Sequence, residues 1–379
     1  MSIEGWQALR RRVLEDADLQ ADLWRHADWS AFEAALAALG APEAPCPWIR
    51  APISDHAVLN SRPAGPHWAP ADLDLMTGRG VQWIYCGGER PVEPFFSMDT
   101  WRWSQRPLNA FLQAHASFVP DPDPPPPVVG LVFHLSRCGS TLVGQMLRAA
   151  CPDLLVLLES RAIGKAARHL PWAPIDAGRR VEQLRYMAKT LYEGCGAPPG
   201  GLVIKAEGTA LYDLDVYLQA FPGTPWIVIH RDPAEILASH QREPAPEATQ
   251  GVLEFAPPPS LDFQMSSTLS PESYAAHVLA ALCEAATEGL EKPGSLGRLV
   301  GYADIVAWTM QALPCHFALS LPSDAEARMS AMADRDAKFP QTAFIDDSRE
   351  KRRLADTAEI ACAARIVQPA YQALLGAGA

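Results

Sequence analysis

The sequence has no C-x-x-C pair, and none of its eight cysteines falls in a Cys/His group at zinc spacing. Scattered cysteines of this kind argue against a disulfide framework and fit reduced thiols. No stretch approaches the roughly 20 apolar residues that span a bilayer. The opening residues, MSIEGWQALRRRVLEDADLQ, lack the apolar core of a signal peptide. Together these absences lead us to expect a cytoplasmic protein with no membrane partner. Positive charge is also short, with 32 Lys and Arg against 44 Asp and Glu and a net charge of -12. Such a field does not favour nucleic acid or an anionic membrane, so an anion would have to sit in a local cationic pocket. His26, His56 and His67 have aspartates nearby, but their spacing matches no ligand pattern, so no metal is expected.

What is present is apolar residue in quantity. Across 379 residues the hydrophobic fraction is 48%, enough for one large domain or two ordinary ones. The clearest break is FVPDPDPPPPVV, whose six prolines suit an extended linker. It separates an accessory region (1–117), holding eight of the eleven tryptophans, from a longer part (128–379), with 118–127 as the link. In the accessory region, residues 5–40 pattern as amphipathic helices and 46–105 as strands and loops.

The longer part alternates. Apolar runs at 128–135, 154–159, 201–207, 225–232 and 298–305 read as strands, and helical patterns lie between them. This predicts an α/β domain, a parallel sheet covered on both faces, with ligands at the carboxyl ends of the strands.

The first strand runs into HLSRCGST and then an apolar-periodic helix. A strand, a small-residue turn and a helix N-terminus make an anion cradle. Gly139 allows close approach, Ser140 and Thr141 add hydroxyls, and Arg137 adds a planar charge. A triphosphate loop needs G-x-x-x-x-G-K-[ST]. Aligned on Gly139-Ser140-Thr141, its first glycine is His134 and its lysine is Ser140. A less charged group than a γ-phosphate with magnesium suits this turn, and a sulfuryl group is one. Further on, HRDPAEILASH puts Arg231 at a strand end and Ser239 on the next helix, where both can meet another phosphate.

S-R-C-G-S-T followed by R-D-P-x-x-x-x-x-S resembles the sulfotransferase family, which uses 3′-phosphoadenosine 5′-phosphosulfate. The likeness is close over 128–240 and faint over 298–360. It implies a P-loop-like three-layer domain in which Arg137, Cys138, Gly139, Ser140 and Thr141 grip the 5′-phosphosulfate. Arg231 and Ser239 then grip the 3′-phosphate. Cys138 stands where the family usually has serine, and Arg137 matches the bacterial and tyrosylprotein members. The resemblance further implies that Glu159, in CPDLLVLLESR, is the base. It implies that Lys205, in VIKAEGT, and Arg137 stabilise the leaving group, without a metal. Glu159 has other readings, as a cap of the following helix or a partner of Arg161. Glu207 is a reserve base, His240 a helix-surface residue and His134 a structural one. Residues 338–353 are a candidate second phosphate contact. The expected product is 3′-phosphoadenosine 5′-phosphate, and the expected acceptor a phenol, peptide tyrosine or natural-product hydroxyl. Two other readings are a P-loop kinase or nucleotide hydrolase, which needs magnesium, and a non-catalytic nucleotide-binding scaffold.

Overall fold

Asp16 and Asp28 each accept backbone N–H groups at a helix start. Capping of this kind cuts the first 38 residues into α1 (Ile3–Glu15), α2 (Ala17–Trp24) and α3 (Trp29–Ala38). In this computed structural model the described residues are 3–41, 58–59, 62–74, 80–118, 123–252, 254–258, 260–339, 341–343, 353–355 and 357–378. Residues 119–122 of the proline segment and 340 and 344–352 of the candidate C-terminal contact lie outside them.

A small sheet follows, built from β1 (Val58–Leu59), β2 (Trp68–Asp74), β3 (Gly80–Tyr85) and β4 (His115–Ala116) in the order β1-β4-β3-β2. Between β3 and β4 lie α4 (Phe96–Ser104) and α5 (Pro107–Leu112). The sequence pattern shows only strands and loops there, so α4 is a correction. Asp99, in its first turn, is fully buried and accepts the Val92 and Glu93 amides, so tertiary contacts hold this helix. The tryptophans pack edge-to-face with other aromatic rings, as in Trp6 on Phe111 and Trp83 on Tyr186.

The larger sheet holds β5 (Val128–His134), β6 (Leu155–Leu158), β7 (Leu202–Lys205), β8 (Trp226–His230) and β9 (Gly297–Gly301). All its pairings are parallel and its order is β6-β7-β5-β8-β9. Both faces are buried, and the side chains of β5 alternate between two cores. Leu131 and Phe133 join one, and Val132 the other. Helix α6 (Ser140–Ala150) packs on the Val132 side. Helices α7 (Arg161–Ala167), α8 (Ala177–Gly194) and α9 (Leu214–Ala220) pack on the Phe133 side. The result is a three-layer α/β domain.

From β5 the chain fills one side of the sheet with β6 and β7, then crosses to the other with β8 and β9. That change of direction opens a crevice at the carboxyl ends of the central strands. The Phe133 side also carries α10 (Pro233–Arg242) and α12 (Pro271–Glu291), with the short α11 (Phe263–Thr268) before α12 in the chain and the C-terminal helix Ala358–Ala377 in the same core. The Trp-rich region shares the Phe133-side core. Cys86 donates to the Gly194 carbonyl at the end of α8, and Arg62 pairs with Glu193. Among the described residues no helix is long and apolar enough to cross a membrane.

Candidate active site

Three strand ends meet at the crevice. The turn after β5 carries left-handed backbone at Ser136 (φ 63°), Arg137 (φ 48°) and Gly139 (φ 79°). For the two non-glycine residues this conformation costs about 1–2 kcal/mol each and persists only where the surroundings enforce it. Several contacts enforce it here. The Ser136 amide donates to His134 Nδ1 (3.0 Å), and its hydroxyl to Glu247 Oε1 (3.0 Å). Cys138 is fully buried and donates to the Ile229 carbonyl (3.2 Å), so its thiol anchors the turn to β8 and faces away from the crevice. Burial pushes that thiol up to about 11. Gly139 is the N-cap of α6, and no side chain caps this helix. A Cβ at Gly139 would lie 3.0 Å from the Tyr302 ring. Ser140 is buried and Thr141 half-buried at the start of the helix. A helix N-terminus without a side-chain cap is a kind of place where main-chain N–H groups can receive an anion. The Arg137 guanidinium pairs with Glu243 Oε2 (2.7 Å), and Lys338 approaches the same oxygen (3.5 Å).

The turn after β8 is arranged differently. Asp232 caps α10 through the Ala234 amide (2.9 Å), and Pro233 opens the helix. Arg231 is 4% exposed, donates to Glu235 Oε2 (2.6 Å) and stacks 4.0 Å from the Tyr302 ring centroid. Ser239 lies one helical turn beyond Glu235 and is buried. The predicted strand at 298–305 ends at Gly301. Tyr302–Asp304 is a 3₁₀ turn leading into α13 (Ile305–Gln311), whose Ile305 is buried in the sheet's core. Tyr302 therefore touches both turns, a role that the sequence reading missed. His240 is buried and accepts the Ala245 amide on Nδ1. Burial and then the nearby Arg137 charge hold it down to about 4.

At the third strand end, Glu159 follows β6 with φ 54° and donates its amide to the Lys205 carbonyl at the end of β7 (2.9 Å). Its carboxylate receives the Lys205 ammonium, which is 1% exposed. Burial alone would raise the carboxyl, but the Lys205 charge and His134 overcome it and hold Glu159 at about 2. Neither alternative reading of Glu159 matches its contacts. Ser160 caps α7, and Arg161 pairs with Asp72 and Glu254.

Glu207 lies against Gly164 of α7 and pairs with Arg168. Burial raises it to about 7, with Arg168 opposing and Glu159 adding to the rise. Two glutamates near each other therefore have proton affinities driven apart, one by its lysine partner and the other by burial.

Neither a protein-family model nor a curated protein matches the chain. One solved structure that resembles it is a sulfotransferase domain from the curacin biosynthetic pathway. The two are 16% identical, the match covers 64% of this chain and 98% of that one, and the TM-score is 0.37.

Proposed function

We propose that this protein is a sulfotransferase that moves a sulfuryl group from 3′-phosphoadenosine 5′-phosphosulfate to a hydroxyl acceptor. The observation that carries the reading is the pair of turns after β5 and β8, joined through Tyr302. One offers an uncapped helix N-terminus with Ser140 at the triphosphate loop's lysine position, and the other a buried arginine. An anion of low charge fits the first and a phosphate the second. Buried Lys205 and Arg231, each held by a carboxylate, fit a donor with two separated anionic groups.

The donor supplies the sulfuryl group, and its nucleotide part leaves as 3′-phosphoadenosine 5′-phosphate. The α6 amides, Arg137, Ser140 and Thr141 hold the 5′ end, and Arg231 with Ser239 holds the 3′-phosphate. On binding, Arg137 exchanges Glu243 for ligand oxygen. The acceptor oxygen forms a bond to sulfur as the bond from sulfur to the phosphate oxygen breaks, and Glu159 takes the acceptor proton. Held near 2 by Lys205, Glu159 is a weak base at rest. When Lys205 turns to the departing oxygen, its charge no longer depresses the carboxylate, and Glu159 gains basicity when the proton must move.

The N-terminal region borders the acceptor side. Asp72 of β2 pairs with Arg161 and Lys165 of α7, the helix that begins just after Glu159. A phenol, peptide tyrosine or natural-product hydroxyl is the acceptor class we assign, and the cytoplasm the compartment. The test is turnover of the donor with and without magnesium, beside ATP with magnesium. Metal-independent release of 3′-phosphoadenosine 5′-phosphate supports the reading. Turnover of ATP alone, only with magnesium, would replace it with a kinase or hydrolase.

A further inference from the structure

His134, the last residue of β5, reads from sequence as a structural residue of the sheet. In the fold its ring lies between the two strained elements of the site. Nδ1 accepts the Ser136 amide at 3.0 Å. A neutral imidazole has one acceptor nitrogen and one donor nitrogen, so this bond puts the ring proton on Nε2. Nε2 is buried, has no hydrogen bond of normal length, and lies 3.5 Å from Glu159 Oε1. Burial, and then the Lys205 charge, disfavours a second proton on the ring. Ser136 and Glu159 both hold left-handed backbone, at φ 63° and 54°, and His134 is a neighbour common to both. Such conformations last where surrounding contacts over-determine them.

We propose that His134 is a positioning residue that couples the anion-binding turn to the carboxylate of Glu159, taking the Ser136 amide on Nδ1 and presenting an Nε2 proton to Glu159. The inference rests on the sulfotransfer reading of the site, in which Glu159 is the base. When Lys205 leaves Glu159 for the departing oxygen, the Nε2 proton keeps the carboxylate aimed. One ring then sets both where the donor's anion sits and where the acceptor's proton goes.

Two substitutions separate its two contacts. His134→Asn keeps an acceptor where Nδ1 lies and removes the donor to Glu159. His134→Gln keeps a donor where Nε2 lies and removes the acceptor. Slow transfer to water, read as release of 3′-phosphoadenosine 5′-phosphate, needs no knowledge of the natural acceptor. We expect His134→Asn to keep KM for the donor within about threefold while kcat falls about tenfold or more. We expect His134→Gln to do the reverse. Independently, nitrogen-15 spectra of the histidines in the wild-type protein at neutral pH should show His134 with its proton on Nε2, in a signal that shifts in Glu159→Gln. A proton on Nδ1, a doubly protonated ring, a signal indifferent to Glu159→Gln, or equal loss of kcat and KM in both variants would overturn the coupling. A wild-type protein that neither binds 3′-phosphoadenosine 5′-phosphate nor consumes the donor would overturn the sulfotransfer reading instead. The nitrogen spectra would still decide the contact between the turn and Glu159.

Discussion

The turns after β5 and β8 share one topology, a parallel strand leading into a helix, yet they handle charge in opposite ways. After β5 the backbone is strained at Ser136 and Arg137, the helix begins at a glycine with no capping side chain, and the arginine pairs with a largely exposed glutamate. After β8 the helix is capped by Asp232 and opened by Pro233, and the arginine is buried between Glu235 and Tyr302. The first turn leaves its helix start without a side-chain cap. The second caps its helix through Asp232 and buries its arginine. A shared strand–turn–helix pattern therefore does not imply a shared arrangement of charge, and in the proposed function the first turn would bind by main chain and the second by side chain.

Gly139→Ala and Asp232→Ala set the two modes against each other. At Gly139 a Cβ meets the Tyr302 ring, and φ is +79°. We expect affinity for 3′-phosphoadenosine 5′-phosphate to fall tenfold or more, at least about 1.4 kcal/mol. Asp232→Ala removes a cap, so stability should drop by about 1 kcal/mol while affinity stays near wild type. Calorimetry and thermal unfolding of both variants check the pair. Equal affinity losses would erase the distinction.

The third strand end adds a contrast in proton affinity. Glu207 keeps its proton to about 7, against an ordinary value of 4.5. Between those values the native state binds the extra proton, so this group's effect on stability worsens as pH rises through the window. Glu159, held at about 2, acts in the opposite sense. Its contribution is complete above about 4.5 and is lost as pH falls toward 2. The Tm of Glu207→Gln relative to wild type should therefore rise between pH 5 and pH 8, as melting curves at the two values would show. A constant difference would mean that Glu207 ionises normally.

The smallest effect expected is a gain. Glu243 is 71% exposed where it pairs with Arg137. A pair with one exposed partner contributes at most about 1 kcal/mol, so Glu243→Gln should tighten nucleotide binding by up to about fivefold, measurable by calorimetry. Weaker binding in Glu243→Gln would show that Glu243 orders the arginine for its ligand.

Much of this site was legible in the chain. The apolar runs specify strands buried on both faces, and the small residues at 136–141 mark the turn after β5. Arg231, Glu159 and Lys205 all fall at strand ends, where the alternation of strands and helices places them. What stayed hidden depends on strand order and on rings reaching across it. Tyr302 follows β9, two strands from β5, and no local pattern predicts that it touches Gly139 and Arg231. His134 sits on a strand that packs on both faces, so period-two reasoning puts it in the interior. It does not reveal a link from Ser136 to Glu159. Helix α4 was missed because only Phe96 and Trp103 mark its apolar face, and Asp99, bonded to two preceding amides, is buried between them in sequence.

In the proposed function the β8 turn holds a 3′-phosphate by the Arg231 side chain, while the β5 turn holds the 5′ end by the α6 amides together with Arg137, Ser140 and Thr141. Metal-free calorimetry of 3′-phosphoadenosine 5′-phosphate and of 5′-AMP tests it most directly. The two proteins to compare are Glu235→Gln and Glu235→Gln with Arg231→Ala, so that no buried carboxylate is left unpaired. The account predicts that removing Arg231 brings the bisphosphate down to the affinity of 5′-AMP, a loss of about tenfold or more, and leaves 5′-AMP unchanged. An equal loss for both nucleotides, or no preference for the bisphosphate before Arg231 is removed, would contradict it.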